Sequence, residues 1–255
     1  MRNKLHLLFY FLKKDIKGRY AGSALGLLWT VFIPLIQIVL FWFVFSAIMR
    51  ARPYANTQIP YIYFLLSSFF FWLAFSEGIF RASHVIIENA EAVKKISFPN
   101  ILLPITVTIS SYLLNMMGVL LFISVYSFIT AISPVILFVI PMLFLQFLFS
   151  LGIGLFLAAV VPYFRDLGQI LGHVMQGIFF ITPIIYSIES IPERFRIIFY
   201  CNPLTYFVSS YHHIILLSEV PPLHYLIIIL ILSILSFLFG LYIFRKLRDG
   251  FADVL

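Results

Sequence analysis

The residues with chemical capacity in this 255-residue chain are few, and they stand apart from one another. Gln169, His173 and Gln176 recur at i, i+4 and i+7 in an apolar stretch, which places three neutral hydrogen-bonding groups on one helix face. Such a stripe either binds a neighbouring helix or lines a path for a polar solute. Thr30 and Gln37 mark a second face, shared with Pro34 and Phe41 and flanked by Trp29. Glu77 is the ionisable residue that comes nearest to lying inside an apolar run, and Arg81, four residues on, is spaced to pair with it structurally.

Other chemistries lack their parts. The sequence contains no G-x-x-x-x-G-K-[ST] loop, and the dipeptide Gly-Lys does not occur, so energy from a nucleotide must enter through another chain. His212 and His213 are adjacent, point to different faces of a helix and have no H-E-x-x-H or cysteine pair nearby, so no metal centre is expected. Ser23 and the scattered histidines form no G-x-S-x-G nucleophile motif. Cys201 is the single cysteine and forms no intrachain disulfide. The expectation is a protein that is no enzyme and holds no cofactor.

The elements that carry these residues are those of a membrane protein. Hydrophobic residues make up 62% of the chain and charged ones 11%, against roughly 25% charged in soluble domains. That excludes a soluble enzyme or nucleic-acid binder. The net charge of +7 comes from cations that flank apolar runs, which suits anionic lipid headgroups better than a nucleic acid. A span needs about 20 apolar residues. Charge-free runs of that length cover 20–49, 53–76, 96–164, 167–188, 197–218 and 220–244, and the long third run divides at Ser133-Pro134 into two spans. Run 197–218 is interrupted by Asn202-Pro203, and counting it as a span would move the basic C-terminal cluster outside. Six spans with both termini cytoplasmic put thirteen of the seventeen basic residues inside. No cleavable signal peptide is read at the N-terminus, because Lys13 and Lys14 break its apolar stretch.

The expected fold is therefore an all-α integral membrane protein of one domain over 1–255. Residues 1–21 form an interface helix, with Leu5, Leu8, Phe9, Leu12 and Ile16 in the inner leaflet and Lys13, Lys14, Lys17 and Arg19 among headgroups. Spans 1 and 2 occupy 22–82 and spans 3 to 5 occupy 100–188. Between them, 83–99 makes a cytoplasmic helix with Ser83 as N-cap and Phe98-Pro99 as stop. Its Glu91 and Lys95 are spaced i, i+4. Residues 189–222 form an external segment of two short helices, opened at Pro192 and divided at Asn202-Pro203, that caps an opening. Residues 223–255 give span 6 and a tail. Small residues at Ser150, Gly154 and Ala158, and at Gly168 and Gly172, offer close helix packing.

Three stretches resemble one family, the permeases of type 2 ABC exporters that carry O-antigen, capsule or teichoic acid. The first is Asp15-Ile16-Lys17-Gly18-Arg19-Tyr20 with Ser23, Leu25-Gly26, Trp29 and Pro34. The second is Asn89 to Pro104, with its basic pair, Phe-Pro and later proline. The third runs from Tyr163-Phe164-Arg165-Asp166-Leu167 through Thr182-Pro183-Ile184-Ile185-Tyr186 and Ile191-Pro192 to Asn202-Pro203. Tyr211-His212-His213 departs from the Tyr-Arg found in many members.

The resemblance implies a homodimeric permease in the inner membrane, bound to two copies of an ATP-binding ABC subunit that holds the ATP and magnesium. It implies a polyprenyl-diphosphate-linked O-antigen or related polysaccharide as cargo. A teichoic acid, small-lipid or drug exporter of the same fold, and a polyprenyl-linked membrane enzyme, are the alternatives. Coupling to the ATPase would fall to Glu88, Asn89, Glu91, Lys94, Lys95, Arg165 and Asp166. A glycan path would use Trp29, Phe32, Gln37, Phe41, Gln169, His173, Gln176 and Tyr186, some of whose rings could instead face lipid. The external gate would use Pro192, Arg194, Arg196, Asn202, Pro203, Tyr211 and His212.

Overall fold

The computed structural model describes residues 2–19, 22–51, 53–54, 59–95 and 99–255, the side chains of 2–5, 27 and 95 excepted. Among them the chain is all helix and turn. Helix α1 spans Arg2–Gly18, and α2 runs from Trp29–Trp42 into a π-helical stretch at Phe43–Ile48. Helix α3 is Tyr61–Glu88 and α4 is Ala90–Lys95. Helix α5 is Leu102–Ile129, and α6 is Val139–Val160 after a 3-10 turn at Pro134–Phe138 whose Ser133 caps it. Helix α7 is Arg165–Phe180, α8 is Glu193–Tyr200, and α9 is Pro203–His212 with a π-helical extension at His213–Leu217. Helix α10 is Leu223–Leu247 and a last turn, α11, covers Phe251–Val254.

Five helical stretches among the described residues are long and apolar enough to cross a membrane: Trp29–Ile48, Tyr61–Glu88, Leu102–Ile129, Pro134–Val160 and Leu223–Val254. The run 167–188, expected as a full span, is shorter as a helix. Helix α7 has 16 residues, about 24 Å at 1.5 Å per residue. Thr182-Pro183 then ends it in a buried turn, because proline supplies no N–H to continue the ladder.

Helix α3 is the centre of the bundle. Its aromatic run Phe69-Phe70-Phe71-Trp72 is buried on every side, against α5, α6, α7 and α9. Ser83, expected as a helix N-cap, lies inside α3 and donates to the Phe80 carbonyl at 2.7 Å. The chain bends only at Asn89, so 83–95 is the end of a long helix followed by one short one. Phe98, part of the expected stop signal, lies outside the described residues.

The charge pairing also differs from the i, i+4 expectation. Glu77 pairs with Arg19, and Arg81 makes a two-pronged contact with Asp15, one prong at 3.0 Å. Arg19, expected among headgroups, has a side chain only 7% exposed and also donates to Ser111 Oγ at 3.0 Å. Asn115 completes the group by donating to Glu77 at 2.7 Å. The reason is geometric: Asp15 and Arg19, one turn apart at the end of α1, lie on the side that packs on α5, and their side chains reach α3. Phe9, assigned to the lipid-facing stripe, is 65% exposed, while Leu8, Leu12 and Ile16 are half-buried.

Close packing uses small residues on two faces of α6. Gly154 meets Ala82 of α3, where an added Cβ would sit 3.0 Å away. On the other face, Gly152 lies against the backbone at Ser236, and a Cβ on Gly240 would land on the Gly152 carbonyl. Gly168 of α7 admits the ring of His84, whose Nε2 lies 2.8 Å from where a Cβ would be, whereas Gly172 has ordinary space.

Two outcomes follow from these contacts. Gly240→Leu forces α10 off α6 backbone to backbone, where no side chain can give way, so it should cost at least ~1–3 kcal/mol. The thermal midpoint of the detergent-solubilised protein should fall well below that of Gly177→Leu, a site with open space. For the ion pairs, Arg81→Asp alone should lower the folded yield, and adding Asp15→Arg should restore most of it. Double-mutant-cycle analysis of thermal midpoints measures that coupling.

Candidate functional site

A groove of about 340 Å³ opens between α2, α3 and α7. Gln37 and Phe41 reach it from α2 and Gln176 from α7, so one polar residue from each of the two faces read from the sequence lies there. Helix α3 supplies Phe69, Trp72 and Ser76. Phe41 stacks on Phe179 with ring centroids 5.4 Å apart and meets Phe69 edge-on at 6.0 Å, which fixes the aromatic wall. None of the residues lining the groove carries a formal charge. Aromatic faces alternating with amide and hydroxyl groups bind sugars without holding a charge fast.

The other expected path residues do not line this groove. Gln169 and His173 are exposed on the same side of α7, toward its N-terminal end. Phe32 is 45% exposed on α2. Trp29 donates its indole N–H to Ser23 Oγ at 3.1 Å at the start of that helix. Tyr186 lies beyond the buried turn, where its hydroxyl donates to the Phe180 carbonyl and its ring meets Phe199 edge-on. Sequence reading missed Phe69, Trp72, Ser76 and Phe179. The first three recur at i, i+3 and i+7 on α3, but the unbroken aromatic run around them hides which face is which.

The segment expected as a gate divides into a surface part and a buried part. Pro192 precedes α8, and Arg196 bridges its start by donating to the Ile191 carbonyl at 2.9 Å and the Glu189 carbonyl at 3.1 Å. Arg194 is exposed over the ring of Phe195 at 4.6 Å. Asn202 caps α9 ahead of Pro203 and donates to Thr182 Oγ1 at 2.8 Å, tying the segment to the turn that ends α7.

Tyr211 and His212, by contrast, are interior residues. Tyr211 stacks on Phe71 at 3.7 Å and donates to Gln146, which donates in turn to the Phe71 carbonyl. His212 sits 4.1 Å from the Phe64 ring and 3.2 Å from Ser68 Oγ. Burial, and then the neighbouring His213, hold its imidazole down at about 3, so it is neutral at physiological pH. It therefore does not replace the arginine of related Tyr-Arg sequences as a cation.

At the far end of the bundle, Glu88 and Asn89 close α3 and lead into α4, where Lys94 and Glu91 are exposed. The side chain of Lys95 lies outside the described residues. Helix α4 packs on α11, with Val93 against the cluster containing Phe251. Tyr163 donates to the Leu247 carbonyl at 2.9 Å and anchors the same end. Arg165 and Asp166 open α7 and are exposed. No hydrogen bond or ion pair joins them to Glu88 or Lys94 among the described residues. Asp166 lies in the first turn of α7, where the helix dipole favours a negative charge.

Comparison with known proteins matches this architecture. Residues 6–216 fit the ABC-2 type transporter family. The chain is 30% identical to an O-antigen export system permease protein RfbA of Klebsiella pneumoniae over 253 residues, 98% of this chain and 95% of that one. It is 27% identical to RfbA of Myxococcus xanthus, covering 97% and 94% of the two chains. It is 25% identical to the polysialic acid transport protein KpsM of Escherichia coli, covering 93% and 92%. With apolar helices throughout, a family match across most of its length and full-length relatives, this multi-pass membrane protein belongs to the ABC-2 type transporter family.

Proposed function

We propose that the chain is the permease subunit of an ABC exporter that moves a polyprenyl-linked O-antigen, or a related surface polysaccharide, outward across the cytoplasmic membrane. The observation that carries this reading is the uncharged groove where Gln37, Phe41 and Gln176 meet Phe69 and Trp72. A polymer of neutral and polar sugars passes over such a surface because each contact is weak and easily exchanged. Two copies of the chain face one another across the path, since Gln169, His173 and Gln176 are exposed on a helix of apolar surroundings and need a polar partner or a wet lumen. Helix α8 and the turn at Thr182-Pro183 form the outer lip, with Asn202 as the tie between them. ATP and magnesium bind in a separate subunit, present in two copies, and both termini of the permease are cytoplasmic.

Force from that subunit enters through α4. This helix is continuous with α3 but for the bend at Asn89, and α3 supplies one wall of the groove, so displacement at Glu88 and Glu91 reaches the path directly. Arg165 and Asp166 form a second contact at the start of α7.

Two experiments test this. Replacing Gln169, His173 and Gln176 together with Leu should cut surface glycan severalfold while the protein still inserts and still binds its ATPase. Unchanged surface glycan would assign the stripe to helix packing. Single charge removals on α4 should be tolerated, each exposed pair contributing about 0.2–1 kcal/mol. Reversing Glu88 and Glu91 to Lys together adds repulsion, and should release the ATPase in co-purification or uncouple hydrolysis from export. Wild-type retention and export would move the coupling contact to Arg165 and Asp166.

A further inference from the structure

A second cavity, of about 250 Å³, lies between α1, the last turns of α3 and the first turns of α5, away from the groove. Phe11, Val85 and Val107 give it an apolar wall. Its charged lining is unevenly matched. Arg81 is held by Asp15, and Arg19 by Glu77 and Ser111. That leaves Lys14 and Glu88, both exposed, both bordering the cavity, and neither in a hydrogen bond or ion pair among the described residues. Glu88 is also the last residue of α3, where the negative end of the helix dipole adds to its own charge and makes a cation the favoured neighbour.

A single cavity thus offers one unmatched cation, one unmatched carboxylate and an apolar wall. A ligand with a phosphate, a primary ammonium and hydrocarbon chains satisfies all three. A phosphatidylglycerol headgroup or a polyprenyl diphosphate meets Lys14 but brings no cation to Glu88. A choline headgroup has no N–H to donate to that carboxylate. The volume falls below the ~300–1,000 Å³ of sites that enclose whole ligands, which suits a headgroup whose chains remain outside in the bilayer.

We propose that this cavity binds the phosphoethanolamine headgroup of a membrane phospholipid, its phosphate on Lys14 and its ammonium on Glu88. The lipid fills the junction of α1 with α3 and seats α1 on the membrane surface. The proposal rests on reading α1 as an interfacial helix, and not on the identity of the cargo.

The test uses full-length permease purified in detergent, stripped of lipid and titrated with dioleoyl phosphatidylethanolamine, phosphatidylglycerol or phosphatidylcholine under native mass spectrometry. The wild type should bind phosphatidylethanolamine about two- to fivefold more tightly than the other two, the range of one solvent-accessible charge pair. Lys14→Gln should weaken binding of both phosphatidylethanolamine and phosphatidylglycerol. Glu88→Gln should bring the two to equal affinity while leaving the thermal midpoint of the lipid-free protein unchanged. Selectivity, not export, is the readout, so loss of coupling through Glu88 does not confuse the result. Equal binding of all three lipids by the wild type would overturn the proposal. So would a Lys14→Gln protein that binds as the wild type does, or a Glu88→Gln protein that keeps the preference. Displacement of phosphatidylethanolamine by an equal concentration of polyprenyl diphosphate would reassign the cavity to the exported lipid.

Discussion

Glu77 sets the condition that the rest of the bundle meets. A carboxylate on a helix built for hydrocarbon is costly unless charge and hydrogen bonds surround it. Arg19, just past the end of α1, and Asn115 of α5 supply them, while Ser111 of α5 accepts from Arg19 and holds it in place. To bring Arg19 there, α1 must pack on α5 beside the end of α3, and Asp15, one turn earlier, then falls on Arg81. One partly buried carboxylate thus fixes the position of the amphipathic helix, and leaves Lys13, Lys14 and Lys17 and the rings of Phe9 and Tyr10 exposed.

With α3 held this way, the bundle divides into a tightly packed half and a loosely covered one. On one side, α6 and α10 meet backbone to backbone at Gly152 and Gly240, and Gln146 locks α6 to α3 and to Tyr211 of α9. Those helices leave little room to move without breaking contacts that lipid cannot replace. On the other side, α7 buries only Gly168, Leu171 and Phe179, and α2 buries only Pro34 and Ile38. The groove opens in the half whose walls are least committed.

Charge is segregated along the same axis. The groove lining carries no formal charge, while the end formed by α1, α4 and the last turn of α3 gathers Lys14, Glu88, Glu91 and Lys94. Exposed charges at the bundle end suit partners that must be recognised, whether a protein subunit or a lipid headgroup. Helix α3 joins the two regions, with Glu88 at its charged end and Phe69, Trp72 and Ser76 in the groove wall.

Sequence alone determined the class and the rough plan. Charge-free runs of membrane length, cations at their ends, and the prolines at 134, 192 and 203 are local properties, and the corresponding helices start where those signals stand. The polar face of α7 was legible for the same reason, since a helical period needs no partner to be seen. Only the tertiary structure decided which charge meets which. Glu77 and Arg81 satisfy the i, i+4 rule, yet each finds a partner on α1 that its neighbour on α3 does not displace. It also decided that Tyr211 and His212 are interior anchors, that α6 and α10 meet backbone to backbone at Gly152 and Gly240, and that Phe69 and Trp72 complete the groove. In a chain this apolar every helix face looks fit for burial. The choice among faces is made by how shapes and the few polar groups match across helices, and that information is not local in sequence.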